Sequence, residues 1–215
     1  MPALKSESCS RPPHEPRGSI RYFAFMNSAA QRHDAMCLSS TDKDQSLGLI
    51  PSWMLRMQVR PAQIADAERA IDVIRRSIQE LCEFDHQNEP ATLSMWLNNK
   101  TADKMRQWIA AHTVLVAVEG ERITGVAAVR ADGEVLLNYV APEARFQGAS
   151  KSLMQAIEAW ASTRGLKWLT LESTATALRF YHATGWTMTG PPQPGFGVTT
   201  RHPMRKPVPV PPAAR

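Results

Sequence analysis

The chain has 215 residues, 43% of them hydrophobic, enough to bury one sizeable core and carry tails. The formal net charge is +5, but residues 57–190 hold fourteen Lys/Arg against fifteen Asp/Glu. The positive excess therefore lies in the termini, which excludes a domain-wide nucleic-acid surface.

Three cysteines, at positions 9, 37 and 82, show no metal-ligand spacing; the low, odd count argues against a disulfide scaffold and fits a reducing, cytoplasmic setting. No apolar run approaches the ~20 residues that span a bilayer, and the patches at 22–26 and 47–50 are too short and interrupted for a signal peptide.

Residues 1–56 mix Ser, Pro, Arg and His without a sustained period and read as an unpacked tail. Met54 and Met57 stand just before the first regular element, so this segment is either a tail or lies upstream of the natural translation start. Gln58–Arg60 is a short strand. Asp66–Leu81 is helical, with Ile71, Ile74, Ile78 and Leu81 on one stripe. Residues 83–90 form an acidic loop, followed by helices over 92–98 and 103–111. Thr113–Glu119 and Arg122–Val129 are β-branched runs joined by a tight connection, which predicts a hairpin. Asp132-Gly133 turns the chain into a strand over Glu134–Val140. A helix over 148–164 buries Leu153, Met154, Ile157, Trp160 and Ala161, and Gly165 ends it. Then come a strand over 167–172, a helix over 175–182, a strand over 186–189, a loop over 190–197 and a last strand over 198–206. The Pro-rich residues 207–215 read as a second, unpacked tail.

The most informative stretch is Arg145-Phe146-Gln147-Gly148-Ala149-Ser150, between a strand and a helix. A helix N-terminus presents unpaired N–H groups and the positive end of the helix dipole, and small residues at 148–150 let a phosphate approach the backbone. Such a loop alone is a weak signal. Its weight comes from Ala177-Leu178-Arg179-Phe180-Tyr181-His182-Ala183-Thr184-Gly185-Trp186, one helix–strand–helix unit downstream.

Together these motifs resemble the GNAT superfamily of N-acetyltransferases, over roughly residues 57–206. The family's acyl-CoA signature is Arg or Gln, two residues, Gly, one residue, then Gly or Ala. Arg145 and Gly148 match it, with Ser150 in the last place. Phe180-Tyr181 and Gly185-Trp186 match the family's downstream ending. Thr174 stands where many members carry an Asn that contacts pantetheine, and is either a weaker contact or a helix N-cap. The resemblance implies an α/β (α+β) fold: a mixed, mostly antiparallel central sheet of about seven strands with helices on both faces. Strands 134–140 and 167–172 would form a central parallel pair.

It also implies acetyl-CoA as co-substrate, with no metal. The pyrophosphate would sit on the N–H groups of Phe146, Gln147, Gly148, Ala149, Ser150 and Lys151. Arg145 either supplies charge or braces the loop, and Lys151 is either a phosphate contact or a solvated first-turn lysine. Tyr139 and Val140 would pair their backbone with the pantetheine arm as an added strand does.

Tyr181 is the expected acid, protonating the departing thiolate; a thiol titrates near ~8.5 and a phenol near ~10. The acceptor amine must lose a proton before attack, and the candidate bases are Glu83, Asp85, His86, Glu134 and Glu172; Asp85 and His86 are the more interesting pair, and Glu172 is either a base at the end of its strand or a cap or ion-pair partner. The acidic loop at 83–90 would also attract a cationic amine, and a pocket closed by residues 83–100 and the Phe196 loop would favour a small molecule. His182 reads as a surface residue. The expected function is acetyl transfer from acetyl-CoA to a primary amine on a small molecule, without nucleic acid or membrane and with a homodimer as one option. The alternatives are a protein amine as acceptor, or a non-catalytic acyl-CoA-binding module.

Overall fold

The computed structural model describes residues 57–209, and the tail read over residues 1–56 lies outside them. Eight strands form the sheet: β1 (Gln58–Pro61), β2 (Thr113–Glu119), β3 (Arg122–Val129), β4 (Glu134–Val140), β5 (Trp168–Ser173), β6 (Thr187–Met188), β7 (Gln193–Pro194) and β8 (Thr200–Pro207). Six α-helices pack on them: α1 (Ala67–Leu81), α2 (Glu83–His86), α3 (Pro90–Leu97), α4 (Ala102–Ala111), α5 (Ala149–Thr163) and α6 (Leu178–Ala183).

The strand order is β1-β2-β3-β4-β5-β8-β6, with β7 beside β8. Every pairing is antiparallel except β4 with β5. A parallel pair needs a crossover, and α5 supplies it. The expected architecture is therefore present, with eight strands rather than about seven. The additional one, β7, is two residues long and falls in a stretch rich in Gly and Pro that reads as loop.

Strands β2 and β3 are buried on both faces, which explains their nearly unbroken apolar sequences. One face carries Val114, Val116, Val126, Ala128 and Leu137 against Ile71, Ile74 and Ile78 of α1, Trp96 of α3 and Met105 of α4. The other carries Leu115, Ala117, Ala127, Val129 and Val135 against Leu153, Met154, Ile157 and Ala161 of α5. Burying one such aliphatic side chain is worth about 1.5–3 kcal/mol, so the two clusters clamp the centre of the sheet from both sides.

Several boundaries differ from the sequence reading for local reasons. Residues 83–86 form one helical turn, because the N–H groups of Asp85 and His86 donate to the Cys82 carbonyl. Gln87 and Asn88 then reverse the chain in left-handed conformations. Helix α3 starts earlier than expected, at Pro90: proline suits a first helical position, and the Glu89 carboxylate accepts from the N–H groups of Ala91 and Thr92. Residues 207–209 are packed rather than free. Val208 is buried and donates to the Lys167 carbonyl at 3.0 Å, and Ser162 Oγ donates to the Pro209 carbonyl at 2.9 Å.

Lys100, between α3 and α4, is buried against the Trp108 ring and donates to Asn99, with no carboxylate partner among the described residues. Burial lowers its pKa from 10.5 to about 8. Between those values the unfolded chain holds a proton that the folded chain does not, so stability rises with pH across that window. Lys100→Met is expected to raise the melting temperature at pH 7, with the gain shrinking as pH climbs from about 8 towards 10.5; thermal melts across that range check the trend.

Candidate active site

Strands β4 and β5 pair through only two residue pairs, Glu134 with Thr170 and Val135 with Leu171. Beyond them the strands separate, and the edge of β4 towards β5 has no ladder partner. The split coincides with a bulge. In the pairing with β3, Val135 faces Val129 and Leu137 faces Ala128, which leaves Leu136 as an extra residue. Leu136 and Leu137 both pack on the α1 face. The alternation is thereby reversed beyond them: Tyr139 packs on the α1 face and Val140 on the α5 face.

A cleft of about 790 Å³ occupies the split. It reaches both faces of the sheet, touching Met154, Phe180 and Tyr181 on the α5 side and Ser77, Cys82 and Tyr139 on the α1 side. Tyr139 and Val140 line the cleft on the stretch of β4 that has no ladder partner towards β5. The Tyr139 hydroxyl accepts from Trp96 Nε1 at 3.3 Å, and burial pushes its pKa up.

One end of the cleft is the loop from Arg145 to Gly148 and the start of α5. Phe146 and Gly148 both take left-handed conformations, at φ 65° and 92°. Alternating backbone of this kind turns successive N–H groups inward and forms an anion nest. The N–H groups of Phe146, Gly148, Ala149, Ser150 and Lys151 have no acceptor among the described residues. Gln147 is the exception within the expected cradle. Its N–H donates to the Ala144 carbonyl at 3.2 Å and its side chain to the Glu143 carbonyl at 2.7 Å, so it braces the loop. Arg145 stacks over the Phe146 ring at 4.7 Å. Ser150 and Lys151 line the cleft.

Tyr181 is buried on α6, edge-on to Phe180 and Trp186 with ring centroids 5.2 and 5.6 Å away. Its hydroxyl accepts from Asn138 Nδ2 at 3.2 Å. Burial raises its pKa to about 12, while the Asn138 bond acts in the opposite direction. His182, the next residue, is exposed, as expected.

Asp85 does not fit the role of base. It is buried, and its two oxygens accept from the N–H groups of Ala175 and Thr176 at 2.7 and 3.3 Å. It anchors the segment that leads into α6. His86 is likewise enclosed: Nδ1 accepts from the Asn88 N–H and Nε2 donates to the Ile78 carbonyl. Thr174 is not a helix N-cap, because α6 begins at Leu178 with Ala177 before it. Thr174 lines the cleft, and its carbonyl accepts from Ser173 Oγ and the Ala177 N–H. Glu83 is held by Asn88 Nδ2, and Glu134 pairs with Arg130. Glu172 lines the cleft and is exposed, with Arg201 Nη1 3.1 Å from its carboxylate. By strand alternation it lies on the face of β5 opposite Leu171, which packs beside Tyr181.

The sequence reading missed Ser77, Cys82 and Thr176 as lining residues. Ser77 and Cys82 carry no motif. Thr176 has a buried hydroxyl without a partner among the described residues and sits one residue before Ala177, where the downstream motif begins, the only signal that marked it.

Residues 83–208 match the acetyltransferase (GNAT) domain family, and the chain belongs to that family. A GCN5-related N-acetyltransferase from Rhodopseudomonas palustris superposes with a TM-score of 0.63 at 20% identity, over 70% of this chain and 94% of that one. The PaiA N-acetyltransferase of Thermoplasma acidophilum, solved with coenzyme A, gives 0.59 at 19% identity over 71% and 99%. The YncA protein of Salmonella typhimurium, a putative acetyltransferase solved with acetyl-CoA, gives 0.56 at 21% over 74% and 99%. No curated protein sequence matches the chain. The fold and the family agree: this is a GNAT-type N-acetyltransferase. No helix among the described residues is long and apolar enough to cross a membrane.

If Asp85 is an anchor, Asp85→Ala leaves two N–H groups ahead of α6 unpaired and is expected to cost about 1–3 kcal/mol. Asp85→Asn retains an acceptor and costs less. Urea unfolding of the two variants checks the order; full stability of Asp85→Ala contradicts the anchoring role.

Proposed function

We propose that this chain transfers an acetyl group from acetyl-CoA to a primary amine on a small molecule by direct attack on the thioester. The observation that carries the reading is one cleft holding an unpaired N–H cradle at one end and the Tyr181 hydroxyl beside the strand split. The cradle suits a pyrophosphate, and helix dipole and N–H groups both favour an anion there. The free edge of β4 suits an extended pantetheine arm with its two amides.

The residues then divide the work. Backbone at Tyr139 and Val140 fixes the thioester. The amine nitrogen forms a bond to the carbonyl carbon, the carbon–sulfur bond breaks with its electron pair on sulfur, Tyr181 gives its proton to the sulfur, and the second proton shed by the nitrogen restores the Tyr181 hydroxyl. An alkylamine near pKa ~10.4 is protonated at neutral pH, so a base must take a proton first. Glu172 is the favoured base. Of the expected carboxylates it is the one that lines the cleft, on an exposed residue whose two oxygens lie 3.1 Å from Arg201 Nη1.

The small-molecule preference rests on the loop between β6 and β8. Phe196 packs edge-on to Trp96 at 5.4 Å, and the Val198 N–H donates to Thr92 Oγ1 at 3.1 Å. Gly197 lies so close to Thr92 that a Cβ there has no room. This loop is tied down on α3, which favours a closed acceptor pocket over an open peptide groove.

Titration with acetyl-CoA, read by calorimetry, is the first test. Saturable binding that Gly148→Val abolishes is expected; absence of binding to the parent protein overturns the reading. Tyr181→Phe is expected to lower kcat by roughly 10²-fold or more, with the acetyl-CoA KM nearly unchanged. The readout is free-thiol release against a panel of polyamines, aromatic amines, amino sugars and peptides. Turnover on peptides alone would shift the acceptor to a protein amine.

A further inference from the structure

Asn138 sits on β4, and only the bulge at Leu136 turns its side chain to the α5 face and Tyr181. Unbroken alternation from Val135 would aim it at α1 instead. Its carboxamide is lodged in the split. Nδ2 donates to Tyr181 Oη at 3.2 Å, and Oδ1 is buried without a partner among the described residues. Asn138 lines the cleft, as Tyr181 does.

A carboxamide nitrogen only donates. The Nδ2 contact therefore occupies a lone pair of the Tyr181 oxygen and leaves that residue's own hydrogen unclaimed. Among the described residues no acceptor takes the Tyr181 O–H. The open direction is the cleft, where a sulfur at the strand split would lie.

We propose that Asn138 is a positioning residue that sets the direction of the Tyr181 hydrogen and supports the phenolate left after proton transfer. The inference rests on Tyr181 as the acid of the reaction proposed above. Burial opposes the phenolate, and among the described residues the one donor on its oxygen is Asn138. The proton moves from Tyr181 Oη to the coenzyme sulfur, the C–S bonding pair stays on sulfur, and Nδ2–H remains on nitrogen as a donor to the new anion.

Oδ1, the other end of the carboxamide, has no partner among the described residues. Swapping the two ends of the carboxamide would make Tyr181 donate to Asn138, and the acid would lose its proton's path to sulfur. Asn138→Asp imposes that outcome, because a carboxylate accepts and does not donate.

The test needs no acceptor. CoA and desulfo-CoA, in which hydrogen replaces the thiol, are titrated calorimetrically against the parent and the Asn138→Asp, Asn138→Ala and Tyr181→Phe proteins between pH 7 and 9. A free thiol titrates near ~8.5, and an O–H aimed at sulfur favours the thiolate. The parent is expected to prefer CoA increasingly as pH rises, reaching about tenfold near pH 9, the scale of a hydrogen bond to a charged group. Asn138→Asp and Tyr181→Phe should both abolish the rise, and Asn138→Ala should reduce it severalfold. Because the readout is a ratio of two ligands on one protein, a loss of overall stability cancels; if Asn138→Asp does not fold, Asn138→Ala decides.

A rise lost in Tyr181→Phe but intact in the Asn138 variants overturns the role of Asn138 alone. A rise that survives Tyr181→Phe, or a parent that shows none, overturns Tyr181 as the donor and this inference with it. A parent that binds neither ligand overturns the coenzyme site.

Discussion

The parting of β4 from β5 after two residue pairs is the constraint on which the rest of the site depends. Backbone N–H and C=O groups inside a sheet are satisfied by a neighbouring strand, and an edge left open in the interior is costly unless something else pairs with it. Here the opening is enforced from both sides. Strand β4 is held by its register with β3, and β5 by six consecutive pairs with β8. Neither strand can shift to close the gap without breaking ladders that are already formed. The gap is a built feature of two sheet halves, each with its own packing.

Packing also explains why the cleft has two chemically different walls. The α5 wall combines the helix N-terminus with apolar side chains and two aromatic rings, a surface for an anion joined to a long neutral chain. The α1 wall presents Ser77, Cys82 and Tyr139, with Glu172 at the rim. In the reaction proposed above, the acetyl donor on one wall and the amine on the other would meet in the sheet split. No side chain of this cleft then needs to carry the acetyl group. Burial of Cys82 agrees, since it pushes that thiol up to about 12 and keeps it out of its nucleophilic form.

Precision at Tyr181 comes from elements far away in sequence. Asp85 holds the segment entering α6 across ninety residues of chain, and Asn138 contacts the hydroxyl from β4. Trp186 closes the end of α6, donating its backbone N–H to the Tyr181 carbonyl at 3.0 Å. Polar groups buried in such surroundings are worth more than on the surface when satisfied and cost more when not. Five buried side-chain polar atoms among the described residues lack a partner, and two of them, the Asn138 and Thr176 oxygens, are in residues that line the cleft.

Much of this was legible in the chain itself. Periodicity marks α1 and α5, turn residues mark the β2–β3 hairpin, and the 145–150 and 177–186 motifs locate the cradle and Tyr181. These are local signals: helical stripes, glycine at positive φ, and small residues before a helix act within a few residues. What the sequence could not disclose is non-local. Asp85 looks like a base in an acidic loop and proves to be an anchor, because its partners are the N–H groups of residues 175 and 176. Asn138 faces Tyr181 only because β3 and β4 pair out of step at Leu136. Side-chain direction in a strand has a period of two, so one extra residue, placed by pairing with another strand, reverses every direction after it. The sequence thus determined which residue types were present and roughly where each element lay, and tertiary pairing decided which of them face the cleft.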